Sequence, residues 1–326
     1  MLIAQTPLRV SFFGGGTDFP QFFLQHGGAV LGTAIDKYIY HCVTHFPSRL
    51  FDYSIRLAYR RVECVKSLDD VEHGPFREVL RYLNIDRDVE ISLAADLPSS
   101  TGLGSSSSFT VGLINALMAF KGKFISQADL AAMAVHIERN VLKESVGCQD
   151  QVLAAYGGLN VVRFIRDDQF VVHRVTLSKT RERELDDSLL MFFTGVTRPA
   201  GAIEKCKLDR LDSIQDNLKR MLNLVDDAYA ILTGTAPLSS FGALLDRTWQ
   251  EKRTLASTVS NPVIDGMYET ACKAGALGGK LLGAGGGGFL LFFVPQESQA
   301  AVRESLKNYY EVPFSINASG SGIIHS

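Results

Sequence analysis

One stretch narrows the possible folds of this chain more than any other: residues 98–108 read PSSTGLGSSSS. Just before it, Val89, Ile91 and Leu93 alternate with Glu90, Ser92 and Ala94, the period of a strand with one buried face. Just after it, residues 109–120 are apolar almost throughout and predict a buried helix. A strand, a glycine- and serine-rich turn and a helix N-terminus, in that order, bring unpaired backbone N–H groups and the positive end of a helix dipole to one point. Such a point binds anions, and phosphate is the usual one. Gly102 and Gly104 let the backbone turn tightly and approach a ligand without a Cβ in the way. Ser105 to Ser108 supply hydroxyls that can cap the helix, donate to phosphate oxygens or ligate Mg²⁺. A serine-rich cap on a plain turn would use the same residues.

The widespread phosphate motifs do not fit. For GxxxxGK[ST], the nearest approach is residues 275–280, with too few residues between the glycines and Leu281 where Ser or Thr is required. Gly102-x-Gly104 lacks the third glycine of GxGxxG, and VAIK, HRD and DFG are absent. Three further segments carry chemistry. Residues 6–18, TPLRVSFFGGGTD, set Arg9 as a permanent cation able to face phosphate, and Asp18 as an acceptor for two hydroxyls at once. Glu138 sits in a helical pattern over 130–142, and Asp150 follows a break at 144–148. Residues 280–289, KLLGAGGGGF, place six consecutive Gly or Ala positions before an apolar strand and permit very close backbone approach.

Together, in order and spacing, these four segments resemble the motifs of the GHMP small-molecule kinases, the superfamily of galactokinase, homoserine kinase, mevalonate kinase and phosphomevalonate kinase. PxxxGLGSS is similar to the second motif. Pro7, Arg9, Gly14, Thr17 and Asp18 fall in register with the first, aPgRvnliGEHtDy, and residues 280–289 with the third. Glu138 and Asp150 stand twelve residues apart, as the Glu and the Asp of CGIMDQ do in galactokinases; the segment here is VGCQDQ. The resemblance implies an α+β, two-domain fold: an N-terminal nucleotide-binding domain over 1–180 and a ferredoxin-like C-terminal domain over 181–326. It implies ATP bound at Pro98, Ser99, Ser100, Thr101, Gly102, Leu103, Gly104, Ser105, Ser106 and Ser107. Mg²⁺ would be held by Ser106 and Glu138, and Asp150 and Arg9 would be catalytic.

The departure is Gly15-Gly16 where galactokinase has Glu-His. That form is similar to the branch acting on heptose phosphates and fucose. Combined with PSSTGLGSSSS, VGCQDQ, FTGVTR at 193–198 and a helical half ending in GGKLLGAGGGG, the resemblance implies transfer of the ATP γ-phosphate to the anomeric C1 hydroxyl of D-glycero-D-manno-heptose 7-phosphate, giving the 1,7-bisphosphate for nucleotide-activated heptose and surface polysaccharide, lipopolysaccharide or capsule. The acceptor would meet Gly15, Gly16, Thr17, Asp18, Gly285 and Gly286, and its own phosphate would need a cation. Arg198 comes first for its paired N–H donors, with Lys143 and Lys280 behind it. A kinase of a free sugar such as fucose, or a catalytically silent sugar-binding regulator, are the other readings.

Composition bounds the partners. A net charge of −2 leaves no electrostatic footprint for nucleic acid or an anionic membrane, so the expected partner is a small sugar phosphate. Residues 1–4 lead straight into a strand with no basic, then apolar, leader, and residues 289–294, among the longest apolar runs, are too short to span a bilayer. Five scattered cysteines with no CxxC suit reduced thiols of a cytoplasmic protein. Periodicity predicts strands over 8–13, 29–35, 38–46, 89–95, 159–164, 170–175, 189–194 and 289–294. Helices are predicted over 109–120, 130–142, 203–232, 244–255, 263–274 and 298–306, the second started by Ser126 with Asp129 in capping-box spacing. The long helix after Ile203 could pack within the monomer or across a homodimer.

Overall fold

The computed structural model describes residues 1–165, 169–197, 204 and 210–326. The chain begins with β1 (Leu2–Phe13), α1 (Pro20–His26) and the long β2 (Gly28–His45), followed by β3 (Ile55–Ala58), β4 (Val62–Val65), α2 (Gly74–Tyr82) and β5 (Val89–Ala95). Three helices come next, α3 (Ser105–Phe120), α4 (Gln127–His136) and α5 (Gln149–Tyr156), and then β6 (Leu159–Phe164) and β7 (Phe170–Arg174). The second half holds α6 (Lys179–Asp187), β8 (Leu189–Phe193), α7 (Leu211–Thr233), α8 (Ser239–Arg253) and α9 (Pro262–Lys273). It closes with β9 (Gly278–Leu281), β10 (Phe289–Phe293), α10 (Gln296–Ser305), β11 (Tyr310–Glu311) and β12 (Gly322–His325).

The strands form two sheets. In the larger, the order is β12-β1-β2-β5-β3-β4, with β6 on the first part of β2 and β7 beyond it; β3 and β5 are parallel, and the other pairs antiparallel. The two strands predicted at 29–35 and 38–46 are one. Opposite Pro7, which has no N–H to give the ladder, the register with β1 jumps from Tyr38 to Ile35, and a bulge carries β2 through Asp36 and Lys37. That bend lets β2 hold β6 with residues 28–33 and β5 with residues 39–45.

The smaller sheet runs β11-β8-β10-β9, antiparallel throughout. With α7–α9 between β8 and β9, and α10 between β10 and β11, this is the ferredoxin-like order. Its central strands, LLMFF and FLLFF, are apolar at every position because both faces are covered. Leu189, Met191, Phe289, Leu291 and Phe293 join the core shared with the large sheet, whereas Leu190, Phe192, Leu290 and Phe292 pack on the other side with Trp249 and Tyr268. The apolar stripe of α7, including Ile214, Leu218, Met221, Val225 and Leu232, is buried within this single chain.

Two ties bind the halves. The expected division at residue 180 falls at the start of α6, yet the last strand returns to the first sheet, where β12 pairs with β1 and Ser321 Oγ lies 2.7 Å from Thr6 Oγ1. Lys280, on β9, donates to the carbonyls of Ser11 and Phe12 at 2.8 Å each, joining the small sheet to the end of β1. Ser126 caps α4 as expected, accepting the Asp129 N–H at 3.1 Å. Among the described residues no helix is long and apolar enough to cross a membrane, and Cys42, Cys64, Cys148 and Cys272 form no disulfide.

Candidate active site

A cleft of about 510 Å³ opens where the end of β1 and its turn, the start of α3 and the start of α5 meet β9 and the glycine loop after it. Its organising contact joins residues 141 positions apart. Arg9 Nε donates to Asp150 Oδ1 at 2.7 Å and Nη2 to Oδ2 at 2.6 Å, a two-pronged charge-assisted pair. The third guanidinium nitrogen, Nη1, donates to the Gly102 carbonyl at 2.7 Å, and the Arg9 backbone N–H to the Leu103 carbonyl at 3.0 Å. One arginine thus fixes both the Asp150 carboxylate and the phosphate-type loop. Both line the cleft, the guanidinium 4% exposed and Asp150 24%, so the aspartate is the more open member.

Asp18 lies beside this pair. Its Oδ1 accepts the Gly16 N–H at 3.0 Å and Gln149 Nε2 at 3.3 Å, and its Oδ2 the Gln149 N–H at 3.2 Å. Burial first, and the neighbouring Asp150 charge second, push its pKa up to about 6. The approach of this carboxylate fixes Gly147, since a Cβ there would stand 1.9 Å from Asp18 Oδ2.

Glu138 lies deeper, in a π-helical turn (Ile137–Val141) that follows α4 in place of the regular helix predicted over 130–142. Its Oε2 accepts from Ser107 Oγ at 2.9 Å and from Gln151 Nε2, while Oε1 has no hydrogen-bond partner among the described residues. Burial, opposed by the hydrogen bonds from Gln151 and Ser107, pushes its pKa up to about 7. Of the serines at the start of α3, Ser107 is the one hydrogen-bonded to Glu138, and Ser106, expected with Glu138 at Mg²⁺, lines the cleft beside it. Successive residues of α3 point about 100° apart, so Ser107 turns inward to Glu138 and Ser106 stays exposed on the cleft wall.

The two glycine loops touch backbone to backbone. A Cβ on Gly102 (φ +85°) would meet the Leu282 carbonyl oxygen at 2.5 Å, and one on Gly283 (φ +69°) would meet Gly102 Cα at 2.4 Å. Gly283→Ala therefore combines left-handed strain with a clash against main chain. It is expected to cost about 2–5 kcal/mol of stability, read by denaturant unfolding; a loss below about 1 kcal/mol would show that the loops can part.

Of the residues expected at the nucleotide, Ser100, Gly102, Gly104, Ser105, Ser106 and Ser107 line the cleft. Thr101 and Leu103 support it from behind, Thr101 donating to the Pro98 carbonyl at 2.9 Å and Leu103 entering the core, while Pro98 and Ser99 are exposed outside the lining. On the acceptor side Gly15, Gly16 and Asp18 line the cleft, and four expected residues do not. Thr17 is fully buried, locking the turn through the Gly14 and Ala29 carbonyls at 2.8 and 2.9 Å. Gly285 packs on Val259 and Gly286 donates its N–H to the Val259 carbonyl at 2.9 Å, so Gly283 and Ala284 face the cleft instead. Lys143 is exposed, in a left-handed turn (φ +58°), and its neighbour Glu144 takes the cleft position. Arg198 lies outside the described residues.

Sequence reasoning missed Ser11, Gln149 and Lys252. Lys252 had a signal: it continues the buried stripe of α8 through Leu245, Thr248 and Trp249, and its Nζ donates to the Leu281 carbonyl at 2.7 Å and to that of Gly283.

An anion-binding helix N-terminus and two carboxylates on an interlobe cleft, one of them clamped by arginine, define a small-molecule phosphotransferase. Residues 72–158 match the GHMP kinases N terminal domain and residues 231–312 the GHMP kinases C terminal. The chain is 30% identical over 329 residues to the D-glycero-alpha-D-manno-heptose 7-phosphate kinase of Campylobacter jejuni, covering 97% of this chain and 96% of that protein. It is 26% identical over 347 residues to the L-fucokinase/L-fucose-1-P guanylyltransferase of Bacteroides fragilis, covering 92% of this chain and 35% of that one. Among solved structures, a D-glycero-D-manno-heptose 1-phosphate kinase from Bacteroides thetaiotaomicron superposes with a TM-score of 0.81 at 23% identity over 100% of both chains. Lactococcus lactis galactokinase bound to galactose gives 0.75 at 17% identity, over 99% of this chain and 94% of that one. The chain belongs to the GHMP kinase family, and within it is a sugar kinase.

Proposed function

We propose that the protein transfers the γ-phosphate of Mg²⁺-ATP to the C1 hydroxyl of D-glycero-D-manno-heptose 7-phosphate, in the cytoplasm, for nucleotide-activated heptose and surface polysaccharide, lipopolysaccharide or capsule. The observation that carries the chemistry is Asp150, held by Arg9 in a cleft whose lining also includes Asp18 and the first serines of α3. The acceptor rests on likeness to the heptose 7-phosphate kinase, which spans nearly the whole chain.

Each part of the site has a task under this reading. The α3 N-terminus binds nucleotide phosphates, with Ser105 Oγ, buried and without a partner among the described residues, among the donors. Glu138 and Ser107 fit a Mg²⁺ ion, because Glu138 keeps one carboxylate oxygen unpartnered in a buried site. Among the described residues no group of three or more His, Cys, Asp or Glu could hold a metal unaided, which suits an ion that arrives with the nucleotide. Bound there, Mg²⁺ would neutralise charge on the phosphates. Asp150 orients the C1 hydroxyl and takes its proton as the oxygen bonds to the γ-phosphorus and the bond from that phosphorus to the β,γ-bridging oxygen breaks, releasing ADP. Arg9 fixes Asp150 and sets positive charge beside the transferred group.

ADP release with Mg²⁺-ATP and the heptose 7-phosphate tests this, with sedoheptulose 7-phosphate, L-fucose and galactose alongside. Turnover confined to the aldoheptose phosphate supports the proposal. Turnover of L-fucose in its place supports the second reading, which likeness to the fucokinase favours. Nucleotide binding without ADP release on any acceptor would point to the silent regulator. For the acceptor's own phosphate, Arg198→Ala is expected to raise KM for the heptose phosphate by roughly 10–100-fold with KM for ATP unchanged. An unchanged acceptor KM would remove Arg198 from that role.

A further inference from the structure

We propose that Ser11, Gly15 and Gln149 form a subsite beside Asp18 that reads hydroxyl groups of the acceptor sugar. Three observations meet there. Ser11 is buried at the end of β1, lines the cleft, and its Oγ has no hydrogen-bond partner among the described residues. Gln149 lines it too. Asp18 can only accept while ionised, so its contact with Gln149 must be made by Nε2, which turns Oε1 away. That Oε1 is buried and likewise without a partner among the described residues. Two orphaned buried oxygens in one wall are costly, and a ligand that hydrogen-bonds to them removes the cost.

Gly15 supplies the space. Its neighbours Gly14 and Gly16 need to be glycine for their backbone, with φ of +80° and +98°, but Gly15 is not in the left-handed region. Packing does not require it either. A Cβ on Gly15 would stand 3.5 Å from Ser11 Oγ and 3.7 Å from Gln149 Nε2, ordinary contact distances. Neither strain nor crowding explains the missing side chain, whereas a ligand occupying that place does. The surrounding atoms also state the ligand's chemistry. Asp18 and Gln149 Oε1 accept, and Ser11 Oγ can give or take, so the subsite suits a group that brings O–H donors. It takes the polyol part of the sugar and leaves the acceptor's own phosphate to be held elsewhere.

The inference rests on the acceptor being a sugar, so kinetics are measured on whichever acceptor of the panel above the wild type turns over. Gly15→Ala is expected to keep or raise Tm and to lower kcat/KM for the acceptor roughly 100-fold, with KM for ATP unchanged. Ser11→Ala and Gln149→Met are each expected to raise acceptor KM roughly tenfold, without a fall in Tm or a change in KM for ATP. Wild-type acceptor KM in Ser11→Ala and Gln149→Met, or a Tm that falls with activity in Gly15→Ala, overturns the subsite. Use of L-fucose instead of the heptose phosphate overturns the proposed acceptor and leaves the subsite to be decided by the same variants. Absence of turnover on every acceptor overturns both.

Discussion

Asp150→Asn is expected to lower kcat by about 10²–10⁴. Two effects add. The amide cannot take the proton of the attacking hydroxyl, and its NH₂ confronts an N–H of Arg9 where a carboxylate oxygen accepted one at 2.6–2.7 Å. The second effect stops at Arg9, whose third nitrogen still holds the Gly102 carbonyl. Loss of chemistry and loss of loop order are separable by comparison with Arg9→Met. Without its guanidinium the Asp150 carboxylate is intact but unoriented, and the Gly102 carbonyl loses its donor, so KM for ATP should rise along with the fall in kcat. In Asp150→Asn the fall should lie almost wholly in kcat. Steady-state rates with each substrate varied distinguish the two. An Asp150→Asn enzyme within about tenfold of wild type would limit Asp150 to positioning the hydroxyl, since phosphoryl transfer depends mainly on alignment and charge stabilisation.

What could be read from the sequence follows the range of the forces involved. The bounds of β5 and β6, Val89–Ala95 and Leu159–Phe164, were legible because period-2 alternation or an apolar run bounded by turn residues is written locally. The α4 cap was legible because Ser126 and Asp129 are three residues apart. The short helices and one glycine-led strand were not. α1, α2, α5 and α6 span no more than nine residues each, and β9 opens on Gly278-Gly279, which as a string reads as a turn. In the site, Arg9, Asp18, Glu138 and Asp150 stood out through the motifs that carry them. That Arg9 grips Asp150 did not, because no local pattern speaks across 141 residues. Ser107 rather than Ser106 meets Glu138 through a matter of helix phase, which a run of four serines hides. Thr17, Gly285 and Gly286 belong to matching motifs yet serve the turns that shape the cleft, and a motif does not separate wall from frame.

Asp18→Asn should make the ligand-free protein more stable at neutral pH while weakening its grip on the acceptor. The Asp18 carboxyl is raised from 3.8 to about 6 by burial, with the Asp150 charge adding to it. An acid whose folded pKa lies above its unfolded value holds its proton longer in the folded state. Its penalty is therefore absent below about pH 4, grows as pH rises through the interval, and is complete above about pH 6. Two pKa units correspond to about 3 kcal/mol. Asparagine removes the charge but turns an NH₂ toward one of the donors at Gly16 or Gln149, a cost of about 1–3 kcal/mol that does not change with pH. The informative quantity is thus the difference between wild type and variant at two pH values, in which every other titrating group cancels. Denaturant unfolding near pH 4 and near pH 8 should show the variant gaining about 3 kcal/mol on wild type across that span. Equal differences at both values would mean that Asp18 titrates normally. The same linkage governs binding: sugar hydroxyls that donate to Asp18 favour its ionised form, so acceptor KM should rise more steeply in wild type than in the variant as pH falls through about 6, the acceptor's own phosphate titrating alike with both.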